Sequence, residues 1–152
     1  MRSSTPPVTS TLLDKMFRLL QKRIVPIAWL LVIHLLLLFP KTRMPEEKVK
    51  LFPNADKVVH FGFYFGMVFT LCMYLFQKRV ISPRKRMAWG ICITLLAVAD
   101  GIVVEFLQRT SWINRDFDWF DAVADSAGAL AGVIAAFYCS SYLSARRSPL
   151  QD

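Results

Sequence analysis

The chain has 152 residues, of which 55% are hydrophobic, and a mean hydropathy of +0.39. A soluble domain of this size is rarely so apolar. The net charge of +8 comes from Lys and Arg that flank the apolar runs. They form no single basic patch, which argues against a nucleic-acid partner. Four apolar blocks, residues 24–39, 58–76, 88–107 and 122–143, predict an all-α integral membrane four-helix bundle with a short N-terminal amphipathic helix.

Residues 1–10 are rich in Ser, Thr and Pro and read as a disordered N-terminal tail. Residues 11–23 place Leu12, Leu13, Met16, Leu19 and Leu20 on one side of a helix and Lys15, Arg18 and Lys22 on the other. Such a helix either lies on an anionic leaflet or extends the first span inward, bent at Pro26. A helix needs ~20 residues at ~1.5 Å each to cross ~30 Å of hydrocarbon. The first block falls short, but Lys22 and Arg23 lengthen it by snorkelling. No small-x-small cleavage site follows it, so it reads as an uncleaved anchor. His34, inside it, is expected to be a packed, hydrogen-bonded residue with no role.

Residues 40–53, with three prolines and mixed charges, form a solvated loop. Asn54 is placed to cap the second helix, and Asp56 lies in its first turn, where the helix dipole favours an acid. Residues 77–87 are short and basic, with Ser82-Pro83 supplying the turn. The third block carries Asp100 near mid-membrane, where an acid needs a partner, water or a proton. Residues 109–120 hold Trp112, Phe117, Trp119 and Phe120, which suit either an interfacial belt or a stacking site. In the fourth block Ala124, Gly128 and Gly132 recur every four residues and allow close helix packing. Cys72, Cys92 and Cys139 lie in separate apolar blocks and read as small packing residues. Residues 11–145 make one domain, followed by a cytoplasmic tail at 146–152.

Twelve of the 19 Lys and Arg fall on the N-terminal region, the second connection and the tail, and seven on the other side. The positive-inside rule then puts both termini in the cytoplasm, and places the first and third connections outside.

The ionisable residues gather at that outer end. His60 lies four residues inside Asp56, Glu105 four inside Arg109 and Asp125 four inside Asp121, each about one turn or ~6 Å. Asp56, His60 and Tyr64 share one helix face; Glu105 and Gln108 share another; Asp118, Asp121 and Asp125 share a third. With Lys57, Arg109, Arg115 and Asp116 they make the candidate ligand-binding set. Two readings stay open. The cations could neutralise the acids and staple the helix ends together as an ion-pair lock. Alternatively Glu105, His60 and Asp125 converge as an intramembrane site. No metal or cofactor is assigned.

Taken together, Asp56-Lys57-xx-His60-Phe61-xx-Tyr64, Glu105-xx-Gln108 and Arg115-Asp116-x-Asp118-xx-Asp121-xxx-Asp125-xx-Gly128-xxx-Gly132 resemble the VanZ-like family of bacterial membrane proteins, over residues 24–143. Asp125 departs from the family pattern, where Asn is usual, and Asp100 adds an acid. The resemblance implies a bacterial inner-membrane setting and, through the family's namesake, a link to teicoplanin resistance. It implies no reaction. The first functional expectation is a non-enzymatic protein that binds an envelope lipid, a lipid-linked cell-wall precursor or a glycopeptide. Lys57, Arg109 and Arg115 would hold phosphate, and Trp112 and Trp119 would flank an acyl chain or sugar. The alternatives are an intramembrane enzyme acting on a lipid-linked phosphate through His60, with Glu105 and Asp125 orienting it or holding a divalent ion, and a proton-coupled transporter.

Overall fold

A computed structural model describes residues 15–16, 18–40, 54–78, 81–115 and 118–147. Most of the described residues are helical, with no strand among them. Four helices follow in order: α1 (Ile24–Leu37), α2 (Ala55–Lys78), α3 (Pro83–Gln108) and α4 (Trp119–Arg147). The expected tail at 1–10 and the Glu46-Glu47-Lys48 charge run lie outside the described residues, as do Asp116 and Phe117. Residues 15–16 and 18–20 are helical and are separated from α1 by a turn at 21–23. The break thus precedes Pro26 instead of falling on it. Pro26 sits in the first turn of α1, where its missing N–H costs no helical hydrogen bond.

Helices α2, α3 and α4 have 24, 26 and 29 residues and are long and apolar enough to cross a membrane. They fit a multi-pass membrane protein. Helix α1 has 14 residues, about 21 Å of rise, and is shorter than a bilayer core. Large apolar side chains point outward along all four helices, including Leu35, Leu95, Leu96, Phe106 and Ile134. In water such faces would drive aggregation; in lipid they need no cover. Ser82 and Pro83 do more than turn the chain. Ser82 occupies the N-cap of α3 with an extended backbone (ψ 151°), and Pro83 opens the helix behind it. Asn54 precedes α2 in the left-handed region, at φ 61°, a conformation Asn tolerates better than most residues.

The most extensive helix contact is α2 against α4, and two glycines explain it. A Cβ on Gly128 would run into the carbonyl oxygen of Phe61, and one on Gly132 would come 2.6 Å from the carbonyl oxygen of Phe65. Both obstacles are backbone, so they cannot swing away. The small-residue stripe of α4 therefore serves contact within the chain. Around this seam the core is filled by Tyr64, Val68, Cys72, Met73 and Phe76 of α2, Val104 of α3, and Ala129 and Ala136 of α4. Phe76 packs on Phe137 with ring centroids 5.0 Å apart. Helix α1 is anchored by Trp29, whose indole covers Gly66 and donates to the Phe63 carbonyl at 2.9 Å.

Gly128→Ala should therefore lower the thermal midpoint of the detergent-purified protein, at a cost of about 1–3 kcal/mol for overpacking against backbone. Gly62 has nothing within 4 Å of an added Cβ. Gly62→Ala should be neutral or slightly stabilising. Equal midpoints for the two variants would show that the α2–α4 seam is not set by glycine.

Candidate functional site

The C-terminal ends of α1 and α3 meet the N-terminal ends of α2 and α4, and the ionisable residues collect there in layers. In the layer nearest the helix ends, Lys57 Nζ is held by three carboxylates. It donates to Asp118 at 2.6 Å, Asp121 at 3.1 Å and Asp56 at 3.4 Å. Asp118 has three tasks. One oxygen takes the Lys57 bond, the other caps α4 by accepting the Phe120 N–H at 2.8 Å, and its own N–H donates to Glu105 Oε2 at 3.2 Å. The Lys57 hydrogen bond, then the Phe120 amide, hold the Asp118 carboxyl below the usual range.

One turn further in, His60 Nδ1 lies 3.0 Å from Asp125 Oδ1, and His60 Nε2 lies 4.0 Å from Asp121 Oδ2. Glu105 joins them from α3. One donor atom from each of His60, Glu105 and Asp125 falls within 4.8 Å of the others, and all three residues are buried. Gly101 makes room for this layer. A Cβ there would stand 3.0 Å from both Cβ and Oδ2 of Asp125. Glu105 and Asp125 are fully buried at 0% exposure, yet Glu105 Oε1 and Asp125 Oδ2 receive no hydrogen bond from the described residues.

The innermost layer is only half legible in the sequence. Tyr64 falls here, one turn below His60, and its hydroxyl donates to Asp100 Oδ2 at 2.9 Å. His34, expected to have no role, supplies the other partner: its Nε2 lies 3.2 Å from Asp100 Oδ1, and its Nδ1 lies 2.8 Å from the Leu30 carbonyl. Both neighbours of the ring are acceptors, so the contact needs either a protonated imidazole or a protonated Asp100. Asp100 also borders a cavity of about 340 Å³ walled by Leu30, Met67, Leu71, Ile93 and Leu96.

Two expected ligand residues also reach α1. Gln108 donates to the Leu37 carbonyl at 2.9 Å, and Arg115 reaches the same oxygen at 3.4 Å. This oxygen belongs to the last turn of α1, where carbonyls lack helical partners. Gln108 and Arg115 thus tie α1 to the polar end. Burial lowers the Arg115 pKa, partly offset by Asp121 and Glu105. Arg109, at the C-cap of α3, is exposed. Trp112 and Trp119 are exposed at 88% and 61% and form a rim. Of the expected set, Asp56, Lys57, His60, Glu105, Asp118, Asp121 and Asp125 come together. Tyr64 lies below them, Gln108 and Arg115 also contact α1, and Arg109 is exposed at the C-cap of α3. Sequence spacing misses His34 and the Leu37 carbonyl. Both contacts join different helices, and nothing local marks them.

No family model, curated protein or solved structure matches the chain.

The Lys57 node gives a pH dependence. A carboxyl with a depressed folded pKa adds stability above its unfolded pKa (~3.9 for Asp), and that stability is lost as pH falls through the folded value. Lys57→Met removes the main cause of the depression. The thermal midpoint should fall more steeply between about pH 5 and 3 in the parent than in Lys57→Met. Parallel profiles would mean that the node contributes no linked stability.

Proposed function

We propose that this chain is a VanZ-like protein of a bacterial cytoplasmic membrane. It would form a four-helix bundle in the bilayer, with α1 as the short fourth span and both termini in the cytoplasm. Its polar end, on the extracytoplasmic side, binds an anionic envelope lipid, with a lipid-linked cell-wall precursor or a glycopeptide as the specialised ligand. One observation carries this reading: three apolar helices bury charged groups together at a single end, where Trp112, Trp119 and Phe120 are exposed beside the exposed Arg109. Aromatic side chains at a membrane interface and a guanidinium at head-group depth suit a molecule with an apolar tail and a phosphate. Lys57 is already shared among three carboxylates, so a direct phosphate clamp falls to Arg109 and the rim.

A second reading, an intramembrane enzyme acting on a lipid-linked phosphate, is favoured by one feature. His60 is buried and oriented by Asp125 at 3.0 Å, the arrangement expected of a positioned acid or base.

A titration of the purified protein with a short-chain polyprenyl phosphate and with the matching polyprenol tests both. The phosphate should bind at least ten-fold more tightly, and Arg109→Gln should remove most of that preference. Equal binding of phosphate and alcohol would sink the lipid-phosphate reading. Release of inorganic phosphate, lost in His60→Gln, would favour the enzyme.

Orientation has its own check. A single cysteine at Trp112, in a variant lacking Cys72, Cys92 and Cys139, should react with an impermeant maleimide on intact spheroplasts. Labelling that requires lysis would place the polar end in the cytoplasm.

A further inference from the structure

We infer that His60, Glu105 and Asp125 bind a divalent transition ion of the Zn²⁺ or Mn²⁺ class. Each residue comes from a different helix, α2, α3 and α4, and each projects into the same buried layer. Facing helices of a bundle commonly build metal centres in this way. One donor atom from each lies within 4.8 Å of the other two. Donors on bonds of ~2.1 Å to one ion lie at most ~4.2 Å apart, so a side-chain adjustment of a few tenths of an ångström closes the set.

A second observation points the same way. Glu105 Oε1 and Asp125 Oδ2 are completely buried and receive no hydrogen bond from the described residues. The other oxygens of these carboxyls are already used, Glu105 Oε2 by the Asp118 amide and Asp125 Oδ1 by His60 Nδ1. These contacts leave one oxygen of each acid unpartnered in the layer, and an ion bound between the acids would take His60 through Nδ1, in place of the hydrogen bond that it now shares with Asp125. Two buried carboxylates, each with one oxygen unsatisfied, also repel each other and are poorly solvated. A divalent cation would balance their charge.

The neighbouring trio of Asp56, Asp118 and Asp121 has similar spacing but no such need, because Lys57 Nζ already sits among its oxygens. The donor chemistry sets the class of ion. One imidazole with two carboxylates suits Zn²⁺ or Mn²⁺, whereas Ca²⁺ takes about six to eight oxygens and Mg²⁺ keeps most of its water. The inference does not depend on lipid binding, and its test contains no lipid.

Detergent-purified protein, stripped with chelator, is incubated with Zn²⁺ alone or Mg²⁺ alone, desalted and assayed for metal by mass spectrometry. The parent should retain one Zn²⁺ per chain and little Mg²⁺, and Zn²⁺ should raise its thermal midpoint. Asp125→Asn and Glu105→Gln preserve shape and should cut retained Zn²⁺ below a tenth of the parent value and abolish the thermal shift. Asp56→Asn should behave as the parent does. Stripped Asp125→Asn should unfold no earlier than stripped parent, which separates loss of the ion from loss of the fold. If those variants do not fold, the parent decides the matter by its own metal content and thermal shift. A parent that retains no Zn²⁺ above a buffer blank, or Asp125→Asn and Glu105→Gln variants that retain as much as the parent, would overturn the site. The two buried carboxyls would then be held by protons.

Discussion

The close approach of α2 and α4 is the constraint on which the rest of the chain depends. Gly128 lies under the Phe61 carbonyl, and Gly132 under that of Phe65. His60 is the residue before Phe61, and Asp125 lies about one turn before Gly128. The backbone contact and the His60–Asp125 contact are thus two parts of one register. A slip of one residue would rotate each helix by about 100°, carrying the imidazole and the carboxylate off the shared face. Small residues in α4 are usually explained by packing alone. Here they also bring a carboxylate within 3.0 Å of an imidazole in an apolar setting, where an unpaired polar group would be costly.

Along α2 the polar residues Lys57, His60 and Tyr64 descend by three and then four residues, and each finds acids from neighbouring helices at its own depth. The resulting layers differ in chemistry. In the first, a flexible ammonium is shared by three carboxylates and is partly exposed, an arrangement that screening weakens and acid dissolves. In the second, two carboxylates and one imidazole are buried together. In the third, a tyrosine hydroxyl and an imidazole share one carboxylate beside a cavity. The ion pairs around Lys57 and the buried group of His60, Glu105 and Asp125 therefore form two layers one turn apart, joined where the Asp118 amide donates to Glu105. Lys57 and its acids, with Gln108 and Arg115 on Leu37, hold the helix ends. His60, Glu105 and Asp125 lie beneath that fastening and take no part in tying α1.

Much of this is legible in the sequence because helical spacing is a local property. The i, i+4 relations of Asp56 with His60, and of Asp121 with Asp125, rank four ionisable groups by depth, and the run Ala124–Gly128–Gly132 points to a packing seam. The three long apolar runs mark the three long helices by length and composition alone. Spacing does not reveal the choice of partner. Arg115 could serve a phosphate or a carbonyl equally well, and its contact with the Leu37 carbonyl joins positions too far apart in the chain for any spacing to mark. His34 sits 66 residues from Asp100 on a helix with apolar neighbours throughout, and no period links them. Apolar composition also overstates the length of α1: the run continues to residue 39, but the helix ends at Leu37.

Stability alone gives no reason to keep this end polar. Replacing a buried charged group by well-packed apolar residues of similar volume is often neutral or favourable, whereas leaving one charge without its partner is expensive. For Lys57 that reasoning allows a purely structural answer, since each nearby oxygen it contacts is satisfied by the ammonium. For Glu105 and Asp125 it does not. Their outer oxygens are fixed by an amide and an imidazole, their remaining oxygens meet no donor among the described residues, and Gly101 gives up its side chain so that Asp125 can occupy this position. A fold seeking only cohesion would fill the space with a leucine on α3 and an alanine on α4, much as Val104 and Ala129 fill the neighbouring core. Two acids that are oriented but incompletely satisfied call for positive charge, supplied by an ion or by protons.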